Sequence, residues 1–276
     1  MEVKKLGATT VTVPEIGIGV WRYRGGDEPL HRGIEQGATL IDTAEVYGTE
    51  AAVGQAIGGI RDRVFVASKV SGQHLRYDEL LRAAEASLQR LQIDRIDLYQ
   101  IHWPNSSVPI RDTMRAMETL VDRGLVRFIG VSNFALPELR AAQAAMTKYP
   151  IVSNQVLYNL HRRQIEAELL PYCAANAITI IAYTPLDSGN LARHKEYPTN
   201  PKGMKALAAI AGRRDKTLGQ VALNWCTAHP SVIAIPKSDS AARVIENCGA
   251  SGWRLTDEEV AALDNAFKPE ADDDWD

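Results

Sequence analysis

A (β/α)8 or TIM barrel is the α/β fold class this chain predicts, and three observations carry that reading. Eight short apolar runs alternate with longer segments of helical spacing. Seven of the eight runs carry a hydrogen-bonding side chain at or next to their C-terminal residue, as expected where barrel strands open onto one rim. The alternative, a doubly wound sheet, needs a GxGxxG turn after its first strand, and GIGVWR at 17–22 does not supply one. A chain of 276 residues has the length for a single barrel domain over 1–276.

The runs are 16–20 (IGIGV), 39–42 (TLID), 64–69 (VFVASK), 96–102 (IDLYQIH), 127–132 (RFIGVS), 152–156 (VSNQV), 178–183 (ITIIAY) and 232–236 (VIAIP). Apolar residues recur at helical spacing over 77–92, 110–124, 135–146 and 217–229 between them. Ahead of the first run, a glycine-bearing turn between two extended stretches predicts an N-terminal β-hairpin that closes the barrel bottom. The longest interruption, 186–202, is polar and holds Pro198 and Pro201, so it is expected as a mobile loop over the rim. The end, KPEADDDWD at 268–276, reads as a frayed acidic tail in which Trp275 is the one candidate for docking.

Composition removes several function classes. The formal charge is −3 and no basic block stands out, so neither nucleic acid nor a membrane surface is expected as a partner. MEVKKLGATT leads into no long apolar segment and no 18 consecutive apolar residues occur, so a cytoplasmic protein is expected. Cys173, Cys226 and Cys248 are odd in number and lack CxxC spacing, which suits reduced thiols. The six histidines include no HExxH and no i, i+4 pair, so no metal site is expected. With no coiled-coil face or edge strand apparent, a monomer is the expectation, and a dimer through a helix face stays open.

The polar strand ends are Asp42, Lys69, His102, Ser132 with Asn133, Gln155, Tyr183 and Lys237. Singly, Asp42 also reads as a helix cap and His102 as a satisfied rim histidine; seven such ends on one face are hard to obtain from turn chemistry. A phenol titrates near ~10 in water and donates poorly at neutral pH unless its anion is stabilised. Lys69 beside Tyr47 provides that, Asp42 anchors the lysine, and His102 orients a substrate oxygen. Such a set suits carbonyl reduction, in which oxygen gains negative charge while a cofactor delivers hydride to carbon.

The cofactor side lies near AIPKSDSAARVIENCGA at 234–250. Lys237 and Ser238 at a strand end, with Arg243 and Asn247 four apart on the next helix, form a phosphate pocket, or else a charged solvated face. Two cations there favour NADPH, with its 2′-phosphate, over NADH. Ser132, Asn133 and Gln155 are placed for a carboxamide, Tyr183 offers a flat surface, and Leu186, Ser188 and Leu191 form a loop able to clamp a pyrophosphate.

With IDTAEVYG (41–48), VFVASK (64–69), LYQIHWP (98–104), GVSNF (130–134), SNQV (153–156), IAYTPL (181–186) and IPKSDSAARVIEN (235–247) in this order, the chain resembles the aldo-keto reductase superfamily, as a short, prokaryotic-type member. The resemblance implies NADPH extended across the C-terminal rim of the barrel and reversible reduction of an aldehyde or ketone to an alcohol. It assigns Tyr47 as general acid with Asp42, Lys69 and His102, and places Asp42 close to the nicotinamide ribose. It puts Ser132, Asn133 and Gln155 at the carboxamide and stacks Tyr183 on the nicotinamide. Lys237, Ser238 and Arg243 go to the 2′-phosphate, Glu246 and Asn247 near the adenine, Ile235 among the cofactor-binding residues, and Trp21 and Trp103 to the substrate pocket. Two departures bear on substrate and cofactor. The segment after Phe267 is brief and acidic, and the compact seventh-strand loop suits faster cofactor exchange. The loop RYRGGDEP at 22–29 offers two arginines to an acidic or sugar substrate, or is simply solvated. The competing class is an NADPH-binding redox-sensing partner protein, which the tetrad alone does not exclude. A lysine Schiff-base barrel enzyme would leave the Lys237–Arg243 pocket without a purpose.

Overall fold

The computed structural model describes residues 1–193 and 198–268. Eight parallel strands follow one another around a barrel: β3 (Ile18–Gly19), β4 (Leu40–Asp42), β5 (Phe65–Val70), β6 (Ile96–Ile101), β7 (Val126–Ser132), β8 (Ile151–Leu157), β9 (Thr179–Tyr183) and β10 (Val232–Ala234). Each pairs with its sequence neighbour, and the first and last meet through Gly17 N–H on the Ala234 carbonyl at 2.8 Å and Gly19 N–H on that of Pro236 at 3.1 Å. Gly19 is required at this seam, because a Cβ there would lie 2.8 Å from the Ile235 carbonyl oxygen. The predicted barrel is therefore present, with a first strand shorter than 16–20 because the seam hydrogen bonds take over from the ladder.

The antiparallel hairpin of β1 (Val3–Lys5) and β2 (Thr12–Pro14) closes the N-terminal end. Its Leu6 and Val13 pack against Leu40, Ala67, Leu98, Val152, Ile181 and Ile233 inside the barrel. Lys4 fastens it: the ammonium donates to the carbonyls of Thr227, His229 (2.9 Å) and Val232 (2.7 Å).

Outside the strands run α1 (Asp27–Glu35), α2 (Glu50–Ile57), α3 (Tyr77–Leu91), α4 (Ile110–Asp122), α5 (Leu136–Ala145), α6 (Leu169–Ala175), α7 (Pro201–Arg214), α8 (Leu218–Cys226), α9 (Ala241–Cys248) and α10 (Asp257–Ala266). Their apolar stripes face the strands: on α3, Leu80, Leu81, Ala84, Leu88 and Leu91 are buried. Thr217 with Gln220, and Thr256 with Glu259, close reciprocal boxes at the starts of α8 and α10, each cap stabilising by ~1 kcal/mol.

Two expected loops shrink. Residues 27–29 of the predicted 22–29 loop form the first turn of α1, where Asp27 and Glu28 suit the positive end of the helix. The 186–202 interruption contains an irregular kinked turn, Asp187–Ala192, in which Ser188 (φ 55°) and Gly189 (φ 89°) are left-handed, and ends where Asn200 caps α7 and Pro201 takes its first position. Residues 194–197 of that loop, and the tail from 269 with Trp275, lie outside the described residues. Among the described residues no helix is long and apolar enough to cross a membrane.

Candidate active site

Along β4, β5 and β6 the inward side chains change from apolar to polar with the two-residue period of the backbone. Leu40 is followed by Asp42, Ala67 by Lys69, and Leu98 by Gln100 and then His102. The barrel floor is hydrocarbon and its rim is a hydrogen-bonding network. Past Asp42 the backbone extends through Ala44 and tightens into a 3-10 turn, Glu45–Tyr47, which ends at Gly48 with φ 68°. Glycine takes that left-handed conformation without a Cβ clash, so the chain turns away directly after the phenol.

Asp42, Lys69, Tyr47 and His102 meet at the rim. Lys69 Nζ lies 2.5 Å from Asp42 Oδ1, 2.9 Å from the Thr43 carbonyl and 3.4 Å from the Tyr47 hydroxyl. His102 Nε2 is 3.5 Å from the same hydroxyl. At the long end of hydrogen-bonding distance, the phenol is within reach of both groups and committed to neither. The His102 ring stacks on Trp103 at 3.6 Å and 9°. Asp42 Oδ2 accepts from Gln155 Nε2 at 2.8 Å and from Gln100 Nε2 at 3.3 Å.

Burial sets the protonation states. Loss of solvent pulls the His102 imidazole down to about 3, aided by the neighbouring Lys69 charge, so the ring is neutral near pH 7. Burial, with Asp42 and Tyr183 nearby, pushes the Tyr47 phenol above its ordinary value. This differs from the expected ammonium-depressed phenol. Asp42, at 2.5 Å from Nζ, already absorbs most of the field of Lys69, and desolvation then dominates at Tyr47. Burial also pulls the Lys69 ammonium below its ordinary value, against the attraction of Asp42. The resting site thus holds a protonated phenol beside a buried ion pair.

One cleft of about 840 Å³ runs from this group across the rim. Ser132, Asn133 and Gln155 line its centre; Ser132 Oγ donates to the Gln155 carbonyl at 2.9 Å. Asn133, with φ 61°, donates to the His102 carbonyl at 3.0 Å and accepts from the Tyr183 hydroxyl at 2.9 Å. These contacts tie together the ends of β6, β7, β8 and β9. Trp21 and Trp103, 52% and 44% exposed, flank the mouth, so the wall nearest Tyr47 is apolar. At the far end lie Ile235, Lys237, Ser238, Arg243, Glu246 and Asn247. Lys237 and Ser238 precede α9 by four and three residues rather than opening it, and Ser238 Oγ accepts from Ser240 N–H at 3.1 Å.

Two expected residues do not line the cleft. Lys69 is fully buried behind Tyr47. Leu191, expected in the loop with Leu186 and Ser188, is also fully buried: its side chain joins the core outside the barrel, and Ala192 and Arg193 face the cleft in its place. Sequence reasoning missed Gln100, buried beside Asp42 with Oε1 unpartnered. Its signal was the two-residue phase it shares with Leu98 and His102, overlooked because only strand ends were read. Arg22, one of the two arginines of the 22–29 loop, also lines the cleft; Val46 and Asp239, which line it too, were missed because loop positions carry no such phase.

The profile of the Aldo/keto reductase family matches residues 15–268. Methylglyoxal reductase YeaE of Escherichia coli is 36% identical over 268 residues, covering 93% of this chain and 92% of the relative. A thermostable aldo-keto reductase solved with the inhibitor epalrestat superposes with a TM-score of 0.89 at 39% identity, over 96% of this chain and 100% of that one. An aldo-keto reductase from Klebsiella pneumoniae, solved in complex with NADPH, gives 0.87 at 37% identity over 98% and 97%. Barrel, rim network and sequence match together establish that the chain belongs to the aldo/keto reductase family.

Proposed function

We propose that the protein is an NADPH-dependent oxidoreductase that reversibly reduces small aldehydes and ketones to alcohols. The observation that carries this is the Tyr47 hydroxyl, within 3.4 Å of Lys69 Nζ and 3.5 Å of His102 Nε2 on the wall of an apolar-mouthed cleft. The cleft also fits the cofactor. It offers hydroxyl and amide groups at Ser132, Asn133 and Gln155, a half-buried ring at Tyr183, and cations at Lys237 and Arg243 in one continuous line. The Klebsiella relative holds NADPH on the same fold.

When bound, the nicotinamide supplies the hydride. His102, neutral, orients the carbonyl oxygen, and Tyr47 gives it a proton. Lys69 stabilises the phenolate left behind, and Asp42, held by Gln100 and Gln155, keeps the ammonium in place. Trp21 and Trp103 exclude water from the reacting end. Cys173, Cys226 and Cys248, all free and buried, support a reducing cytoplasmic setting. Three of the exposed large apolar side chains, Trp21, Val46 and Trp103, line the cleft, which supports a monomer.

The test is loss of reduced-nicotinamide absorbance with a panel of simple aldehydes, 2-oxoaldehydes such as methylglyoxal, and keto acids. Turnover on at least one is expected. Tyr47→Phe is expected to lower kcat by about 10²–10⁴-fold, the range for a lost general acid, with NADPH affinity unchanged. Binding without turnover on the whole panel would instead favour a redox-sensing partner protein.

A further inference from the structure

The far end of the cleft holds a carboxylate for which a dedicated 2′-phosphate site has no use. Asp239 Oδ2 lies 2.5 Å from Lys237 Nζ, and Oδ1 accepts from the Arg24 backbone N–H at 2.8 Å. Both contacts place it on the cleft wall between the eighth strand end and the first-strand loop. Glu246 lines the same end. Lys237 is thus paired with Asp239 in the resting site, and Asp239 and Glu246 set two carboxylates against Lys237 and Arg243 at this end, with the Arg24 charge near Asp239.

That balance decides between ligands. A 2′-phosphate dianion has to compete with Asp239 for Lys237 and then sit beside a like charge. A free ribose hydroxyl is a donor, and a carboxylate is the acceptor that nucleotide sites use for it, whereas cations serve the 2′-phosphate. Both recognition groups are present, and the Arg24 contact fixes the carboxylate independently of Lys237. We propose that Asp239 is a cofactor-specificity residue that lets this corner accept a free 2′-hydroxyl as well as a 2′-phosphate, so that the protein uses NADH alongside NADPH. The inference rests on the nicotinamide-cofactor reading of the cleft given above.

The experiment is titration of wild type and Asp239→Asn with NADPH, NADH, 2′,5′-ADP and 5′-AMP, followed by tryptophan fluorescence. Asparagine removes the charge and retains an oxygen for the Arg24 N–H. Wild type is expected to bind NADH within roughly 30-fold of NADPH. Asp239→Asn is expected to tighten NADPH and 2′,5′-ADP by about two- to fivefold, the scale of one half-exposed charge, and to loosen NADH and 5′-AMP by about twofold. If Lys237 and Asp239 (31% and 44% exposed) form only a surface ion pair, the NADPH to NADH ratio will not move, and the inference fails. NADH binding too weak to measure in wild type would also overturn it. If wild type binds none of the four nucleotides, the cofactor reading fails together with it; NADPH binding with an unmoved ratio removes this inference alone.

Discussion

His102 and Tyr47 face each other at 3.5 Å, and burial drives their proton equilibria in opposite directions while leaving both neutral. For His102 this has a consequence for stability. Its ordinary value near 6.5 applies to the unfolded chain, and the folded value is about 3. Below pH 6.5 the unfolded state takes up a proton that the folded state refuses, so protonation favours unfolding. The contribution of His102 is therefore complete above pH 6.5 and is lost as pH falls toward 3. His102→Phe keeps a flat ring against Trp103 and removes this proton. Urea unfolding at pH 7 and pH 5 is expected to show a larger loss for wild type, by about 1 kcal/mol per pH unit below 6.5. Parallel losses would mean that the imidazole is not held neutral. The same residue shows how the site was legible: Asp42, Lys69 and His102 are polar groups in the inward phase of apolar strands, a pattern visible in the sequence. Gln100 has that phase too, but sits within its strand, and the partner that gives it meaning, Asp42, lies two strands away.

A 3-10 turn of three residues cannot hold its own position, since it makes too few internal hydrogen bonds to offset its ordering. The Glu45–Tyr47 turn is fixed from outside. Glu45 Oε2 accepts from the Ser71 N–H at 2.8 Å, Oε1 meets His74 Nδ1 at 2.7 Å, and the Thr43 and Thr49 hydroxyls meet at 2.9 Å across the turn. Glu45 thereby ties the Tyr47-bearing turn to the loop after β5, the strand that carries Lys69. Glu45→Ala is expected to lower kcat by about tenfold through a displaced phenol, with NADPH affinity unchanged. Glu45→Gln retains an acceptor for Ser71 and should restore most of kcat. An alanine variant with full kcat would show that the threonine pair suffices. Elements of this size are where sequence reading lost resolution. The long helices and buried strands announce themselves by period, whereas the Pro201 start of α7 and the inward face of Leu191 depend on how the kinked turn at 187–192 lies against the core.

At the scale of the molecule the barrel separates its two tasks by end. The rim spends its polar groups on the cleft, and the bottom spends its own on closing the hairpin. Lys4 is the main tie at that bottom: its ammonium takes the carbonyls of Thr227, His229 and Val232, joining β1 to the end of α8 and the start of β10. Glu15, fully buried, lies 4.0 Å from Lys4 Nζ and pairs with Arg254 at 2.7 Å, which binds the hairpin to the segment before α10. Lys4→Met keeps the hydrocarbon stem and removes the donors, taking the Lys4 hydrogen bond from the buried Thr227 and Val232 carbonyls, while that of His229 keeps the Val232 N–H at 3.0 Å. The expected loss is about 2–4 kcal/mol, from unsatisfied backbone acceptors that the folded chain shields from water. Because the hairpin contributes nothing to the rim, kcat and KM measured well below the melting temperature should match wild type. Tyr47→Phe should do the converse, with little change in urea midpoint, since the hydroxyl makes only long contacts in the resting site. Thermal melts and turnover on the two variants check the separation. If Lys4→Met lowered kcat at a temperature where it is fully folded, the barrel floor would be coupled to the rim, and the two ends could not be treated as independent.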